Sequence, residues 1–503
     1  MKNNKNRNIC RFAILFLLAF LFSFSTAYSA SSYYVDNGVG SSGNGSQASP
    51  WKQFSNINWT TIANASKPCT IYVSGGASGQ TYSVVAEYMI AASGSGVGSE
   101  VIVKRATEAE WPGHGGPVVI QGGTGGRTFN ITSRNYIIID GFDFNPGNIW
   151  LESCNYVIIR NCNIHNWTAS QGADGGITTL ASTGSPSRYV TIQNNHIGPP
   201  GKDAQQDPII LGWNDHWIIE KNIFEYRYDM TSGSHADGIH MQDASSNLII
   251  RYNWFRGGFL NAAIFVDAES GNNDTGPMNL DIYGNIFENG TNPGTNGWQG
   301  VLVYHDGNYK DHIINIYNNV FANINSTDTS GFGIWFHSGG SASDTIKIEN
   351  NIFYNAKVGV DSPNVTTNWT LNNNWYFNND GYESGKIIEW KGTNYTNITT
   401  FNAATGFEAS KHQSDPQLTT LSHTFNFNHD FRPTAGSPVI NVGHDVGSAF
   451  NVGISTATAL SDWPLNVATI ARPQGSGWDI GAYEYGGGSP NPPPNPPDVR
   501  ILP

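Results

Sequence analysis

The stretch SHADGIHMQD sets His235, Asp237, His240, Gln242 and Asp243 within a few residues of one another. Histidine exchanges a proton near neutral pH, and a neighbouring carboxylate both orients it and shifts its titration. Upstream, QDPIILGWNDH and QGADGGI carry Asp207 and Asp174; superposing Ile209 on Ile239 places Asp207 and Asp237 at one position, with Asp174 offset by one. Two stacked carboxylates titrate as a pair. One is then held protonated as a general acid, or both are bridged by a cation such as Ca²⁺. Either arrangement suits chemistry at a glycosidic bond, and carboxyls about 5 Å apart suit retention of configuration rather than inversion. Asp207, Asp237, His235 and His240 are thus the candidate catalytic residues, and Asp207 with Asp237 the candidate metal ligands. A structural role fits the same aspartates, because Asp before Gly or Pro at a strand start commonly bonds backbone amides.

Residues so far apart in sequence meet only if the chain repeats. The segments YIIIDGFDF, YVIIRNCNI, YVTIQNNHI, WIIEKNIF, LIIRYNWF, LDIYGNIF, INIYNNVF, IKIENNIF and WTLNNNWY recur from Tyr136 to Tyr376. Aligning them puts Asn195, Asn222, Asn253, Asn285, Asn319, Asn351 and Asn374 in one column, at separations of 27, 31, 32, 34, 32 and 23 residues. Two positions later runs an apolar column, Ile197, Phe224, Phe255, Phe287, Phe321, Phe353 and Tyr376. An Asn at every turn can bond the next turn, and stacked rings can fill the interior beside it. Short strands at a recurring spacing, without helical periodicity, predict a coil of stacked turns.

A second strand set lies between these segments: GNIWLE, GGITTL, DPIILG, DGIHMQ, AAIFVD, QGVLVY and FGIWFH, with KVGVD less clear. Alternation turns Ile149, Ile177, Ile209, Ile239, Ile264, Val301 and Ile334 inward. Trp150, Thr178, Ile210, His240, Phe265, Leu302 and Trp335 then point outward. So do Glu152, Leu180, Gly212, Gln242, Asp267, Tyr304 and His337, with Asp361 aligned beside this last column. Rungs about 4.8 Å apart make these rows contiguous. Gln242, Asp267, Tyr304, His305, Trp335 and His337 are the candidate substrate-binding residues, Trp335 and Trp150 offering ring faces to sugars. Arg227 and Lys202, in loops before the aspartate strands, are candidate partners for an acidic substrate.

The bulk numbers agree with a folded β protein: 503 residues, 39% hydrophobic, 12% aromatic and only 13% charged, with 57 glycines. A net charge of −13 without a basic cluster argues against nucleic acid as a partner. The opening MKNNKNRNICRFAILFLLAFLFSFSTAYSA has the basic, apolar and small-residue order of a signal peptide, and no later stretch is apolar enough to span a membrane. The mature chain is therefore expected to be secreted, periplasmic or at the cell surface, and monomeric. Beyond the leader lie Cys69, Cys154 and Cys162, an odd number that cannot form a complete disulfide framework. Cys154 and Cys162 either pair or stay as buried thiols. The tail GGGSPNPPPNPPDVRILP cannot pack a core.

In this organisation the chain resembles the pectate-lyase-like superfamily of right-handed parallel β-helix proteins, from about Tyr33 to Tyr485. The opening YYVDNGVGSSGNGSQASPWKQF is similar to their N-terminal region, and FRPTAGSPVINVG with DIGAYEY to their closing turns. The resemblance implies an all-β, right-handed parallel β-helix (solenoid) with an N-terminal cap and C-terminal closing turns. The expected divisions are a signal peptide at 1–30, an N-terminal cap and first coils at 31–125, parallel β-helix repeats at 126–380, C-terminal coils and cap at 381–485, and a Gly/Pro-rich tail or linker at 486–503. It further implies a substrate groove on the outward strip, hence a secreted polysaccharide-active protein, lyase or hydrolase. The paired-Asp, Gly-His-Gly and Arg-Ile-Lys pattern of polygalacturonases is not at matching positions; the one GHG, at Gly113, lies upstream of the repeats. The alternative expectation is a non-catalytic glycan-binding or adhesin-type surface protein.

Overall fold

The computed structural model describes residues 30–486 except 86, 124–126, 169–174, 181–184, 202–206, 227–235, 243–244, 260, 269–277, 290–298, 306–311, 325–330, 338–343, 364–367, 380–384, 421–428, 458–459, 461–462, 464 and 466. Its strands assemble into three long sheets of 12, 12 and 11 strands among the described residues. Along the chain, each coil visits the first sheet, then the third, then the second. In one coil these strands are Ser245–Arg251, Trp254–Gly257 and Ala262–Ala268, and the next coil begins at Asn279–Tyr283. Successive coils pair in parallel throughout the stack, and only the last strand of the second sheet, Thr393–Tyr395, runs antiparallel. This is a right-handed parallel β-helix: the stacked turns are what the repeat predicts, and the architecture is the one the resemblance implies.

The asparagine column is a hydrogen-bond ladder. From Asn222 to Asn374, the Oδ1 of each asparagine accepts both the backbone N–H and the Nδ2–H of the asparagine one coil before, at 2.9–3.1 Å, while Asn195 Oδ1 accepts the Cys162 N–H at 2.9 Å. The residue just before each rung turns the corner in the left-handed region: Asn194, Lys221, Tyr252, Gly284, Asn318, Asn350 and Asn373 all have φ between 53° and 66°. Asn and Gly tolerate that conformation best, which accounts for the recurring Asn-Asn and Gly-Asn pairs. Beside the ladder, Phe224, Phe255, Phe287, Phe321, Phe353 and Tyr376 stack with centroids 4.6–5.1 Å apart. The opposite wall must be small to admit these rings. A Cβ on Gly300 or Gly333 would stand 2.5 Å from Phe321 or Phe353.

Helices sit near both ends of the stack. Helix Trp59–Asn64 is capped by Asn58 and buries Ile62, and helix Ile398–Thr405 is capped by Asn397 and buries Ile398 and Phe401 against Trp390 and Tyr395. The chain from Phe431 to Tyr483 then packs on the outer side of the third sheet and of the corner leading into it, where Tyr252, Trp254, Tyr283, Tyr317, Ile352 and Trp375 meet Phe431, Val439, Ile454 and Ile480 in a second apolar cluster. Cys69, Cys154 and Cys162 are free and buried, and burial pushes Cys154 and Cys162 up to about 12. No helix among the described residues is long and apolar enough to cross a membrane.

The ladder ends on a carboxylate. Glu408 takes the Asn374 N–H at 3.0 Å and its Nδ2–H at 2.7 Å, and the Tyr376 hydroxyl donates to it at 3.0 Å. Burial outweighs these bonds and pushes Glu408 up to about 7 from its ordinary 4.5. A carboxyl raised on folding stabilises the fold below its unfolded value, and that stabilisation is lost as pH rises through the folded value. Between about pH 4.5 and 7 the group should therefore remove about 3 kcal/mol. Denaturant unfolding of the wild type and Glu408→Gln at pH 5 and pH 8 checks this. The pH difference should shrink by roughly that amount in the variant; an unchanged difference would refute the assignment.

Candidate active site

The second sheet carries the site, and its register follows the alternation. Trp150 pairs with Thr178, Thr178 with Ile210, Ile210 with His240, His240 with Phe265, Phe265 with Leu302 and Leu302 with Trp335. The column continues through Asp361 and Glu389, so Asp361 belongs beside Trp335 and not in the Tyr304 and His337 row where alignment puts it. Facing outward is also not the same as facing solvent. Thr178, Ile210, His240, Phe265 and Leu302 are all buried, His240 at 4% exposure, and Trp335 is half-buried. Alternation decides the side of the sheet a side chain leaves from; coverage from above has no period to read.

Asp207 and Asp237 do occupy one position on adjacent rungs. Asp207 Oδ1 accepts the Asp237 N–H at 2.6 Å, and Asp237 Oδ1 accepts the Ala262 N–H at 2.8 Å and the Asn261 Nδ2–H at 3.0 Å. One oxygen of each aspartate thus ties its coil to the next, as the asparagines do at the other corner. The other oxygen of Asp207 lies 3.0 Å from His240 Nδ1, and Gln242 Nε2 is 3.4 Å from the same nitrogen. Across the ring, His240 Nε2 lies 3.6 Å from Asp267 Oδ2, and the ring stacks on Phe265 at 4.9 Å. Burial pulls the imidazole pKa down, but Asp207 and Asp267 on its two sides outweigh burial and raise it. Burial, with the neighbouring Asp237, pushes the Asp207 carboxyl up against the opposing pull of His240. The result is a line of titratable groups, Asp207, His240 and Asp267, running from a buried carboxylate to a half-buried one.

Asp267 opens onto an aromatic strip. It is the cross-strand neighbour of Tyr304, whose ring stacks on His337 at 4.5 Å; Trp335 meets His337 edge-on at 4.7 Å. Tyr304 and Trp335 are half-buried and His337 is exposed. Trp150 does not offer a free face: it is buried, Arg127 sits 3.3 Å over its ring, and its Nε1–H donates to Glu152 at 3.2 Å. His235, Arg227, Lys202, Asp174 and Asp243 lie outside the described residues, as does the side chain of His305, whose backbone pairs with Ala268.

Two features escape the repeat. Tyr226, on the third-sheet strand Ile223–Tyr226, is buried at 1% exposure with its hydroxyl unpartnered among the described residues; burial and the charges of Asp207 and Asp237 raise its pKa. Its position two residues past Phe224 is the only sequence signal for it. Further along the face, Lys386 Nζ lies 2.8 Å from both Asp361 and Glu389, in a segment too irregular to align. The GHG histidine is no relay: His114 Nδ1 contacts Ser74 Oγ at 2.7 Å and is also the atom 3.5 Å from Asp36, whereas a serine nucleophile and its orienting carboxylate need opposite nitrogens. Cavities of about 380 and 560 Å³ lie elsewhere, lined by Arg432 and Tyr485 in the first and by Arg160, Asn194 and Lys221 in the second.

No protein-family model matches the chain, and no curated protein sequence does either. Among solved structures, a pectate lyase, Pel9A, is similar at 15% identity over 92% of this chain and 98% of its own, with a TM-score of 0.52. An alginate lyase from Paenibacillus sp. str. FPU-7 shares 17% identity over 63% of this chain and 95% of its own, with a TM-score of 0.42. PfbA, a surface adhesin of Streptococcus pneumoniae, shares 15% identity over 67% and 88%, with a TM-score of 0.41. The likeness to the first establishes the pectate-lyase-like β-helix fold.

Proposed function

We propose that this chain, a right-handed parallel β-helix of the pectate-lyase-like fold, is a secreted monomeric enzyme that cleaves glycosidic bonds of an extracellular polysaccharide along the outward face of its second sheet. The observation that carries the reading is the line Asp207, His240, Asp267, which ends beside the aromatic strip of Tyr304, Trp335 and His337. His240, held by the buried Asp207, positions the Asp267 carboxylate; Asp267 accepts a proton, and the hydroxyl of Tyr304, its cross-strand neighbour, supplies one to the leaving glycosidic oxygen. In a β-elimination, the electrons of the broken C–H bond form the new double bond as the C–O bond breaks. His235 adjoins this centre in sequence. Gln242, His305 and His337 contact the glycan, and Arg227 and Lys202 neutralise a uronate carboxylate. Elimination is favoured over hydrolysis because Asp207 and Asp237 are both buried and each spends an oxygen on the next coil. Ca²⁺ is held by six to eight oxygens, whereas the third donor beside this Asp pair is an imidazole nitrogen, so no step is assigned to it.

One observation favours a second reading, glycan binding without cleavage. The Asp pair bonds backbone amides between coils as purely structural residues do. Incubation with pectate, alginate, glycosaminoglycans and neutral glycans separates the readings. An unsaturated, ultraviolet-absorbing product indicates a lyase, reducing ends without it a hydrolase, and binding without either an adhesin. Under the proposed reading, Trp335→Ala should raise KM about 10-fold through lost ring stacking while leaving kcat near its wild-type value. A fall in kcat with KM unchanged would move Trp335 out of the binding role.

A further inference from the structure

Asp207, Asp237 and His240 each present one donor atom, and the three atoms lie within 4.8 Å of one another in a buried setting. Two carboxylates and an imidazole converging on one point form a donor set typical of Zn²⁺ sites, which take three protein ligands and leave a fourth position open. Two further features fit a bound ion. A metal-binding histidine usually gives its second ring N–H to a carboxylate, which fixes its orientation; His240 Nε2 faces Asp267 Oδ2 at 3.6 Å. The Tyr226 hydroxyl, 1% exposed and unpartnered among the described residues, feels both Asp207 and Asp237. A buried hydroxyl without a partner is costly, and an ion or its bound water at the open position would supply one.

We propose that Asp207, Asp237 and His240 form a site for a divalent transition-metal ion of the Zn²⁺ class, not for Ca²⁺, with Tyr226 completing the shell or holding a water bound there. A Ca²⁺ shell needs six to eight oxygens, and the imidazole nitrogen excludes that chemistry at this point. Asp267 is then the carboxylate behind the metal-bound histidine, so the ion and the groove share one residue. The inference deepens the reading of this site as the functional centre and rests on that reading, but it does not require that any glycan be cleaved.

The test uses the full chain freed of metal with a chelator, then titrated with Zn²⁺, Mn²⁺ or Ca²⁺ singly by calorimetry and by thermal melting. One Zn²⁺ per chain is expected, bound at least about 100-fold more tightly than Ca²⁺ and raising Tm. His240→Gln should weaken Zn²⁺ by at least about 100-fold, and Tyr226→Phe, which keeps the ring packing, by about 10-fold. Ca²⁺ bound as tightly as Zn²⁺, Zn²⁺ affinity unchanged in both variants, or no binding of any of the three ions would each overturn the proposal. None of these readouts depends on catalysis, so a protein that binds Zn²⁺ but leaves every glycan intact would contradict the enzyme reading alone.

Discussion

Replacing His240 by glutamine is expected to lower the rate of glycan cleavage by about 10²–10⁴-fold, the range for disabling the proton transfer that Asp267 makes while the ring positions it. The imidazole lies 3.0 Å from Asp207 and 3.6 Å from Asp267. Glutamine has comparable reach, yet it cannot hold Asp207 at one end and Asp267 at the other with the rigid geometry of the ring. Because the His240 backbone pairs with Ile210 on one side and Phe265 on the other, and glutamine keeps a polar side chain there, the coil should survive the change. Initial rates on the cleaved glycan, with melting curves as a control for folding, give the answer. A variant that folds and keeps a near-wild-type rate would remove His240 from the centre and, with it, the role given to Asp267. Asp207→Asn should cost less, since an amide can still hold the ring in place.

The largest effect on stability is expected at the asparagine ladder. Asn285 accepts the N–H and Nδ2–H of Asn253, gives its own Nδ2–H to the Ile250 carbonyl at 2.8 Å and to Asn319 Oδ1 at 3.1 Å, and is fully buried. Asn285→Ala removes all of these at once, and every abandoned partner stays out of reach of water. Each buried group left unpaired costs about 1–3 kcal/mol, so a loss of about 3–5 kcal/mol is expected, a large part of the stability of an ordinary domain. Asn315, whose Nδ2–H reaches Asp281 at 2.8 Å on the half-buried outer side, is the matched control, with about 1 kcal/mol expected. Chemical denaturation of the two variants compares them directly. Equal, small losses would mean that the ladder decorates the coil without holding it.

What the sequence revealed follows from what repetition can carry. The Asn column and the Phe column were legible because one corner of every coil needs the same side chain for the same reason, and the Ile column because alternation is a property of any strand. Asp207 and Asp237 could be superposed because each sits two residues before an inward Ile. Where the repeat broke, the reading broke with it. Asp361 was set one column away from Trp335, its true neighbour, because the loop between their strands has no fixed length. The burial of His240 and Phe265 depends on coverage that obeys no period. Tyr226 reaches the aspartates from a different sheet, and Glu408 ends the ladder as a carboxylate in a segment that aligns with nothing. The packing of Phe431, Ile454 and Ile480 on the third sheet is aperiodic in the same way.

Co-crystallisation of His240→Gln with an oligosaccharide of the glycan that the wild type cleaves tests the central claim most directly. Sugar rings are expected along the outward face of the second sheet, over Tyr304, Trp335 and His337, with the carbon that loses its proton about 3 Å from Asp267 and the leaving glycosidic oxygen about 3 Å from the Tyr304 hydroxyl. An oligosaccharide seated elsewhere, for example in the cavity lined by Arg160 and Lys221, with that face empty, would contradict it.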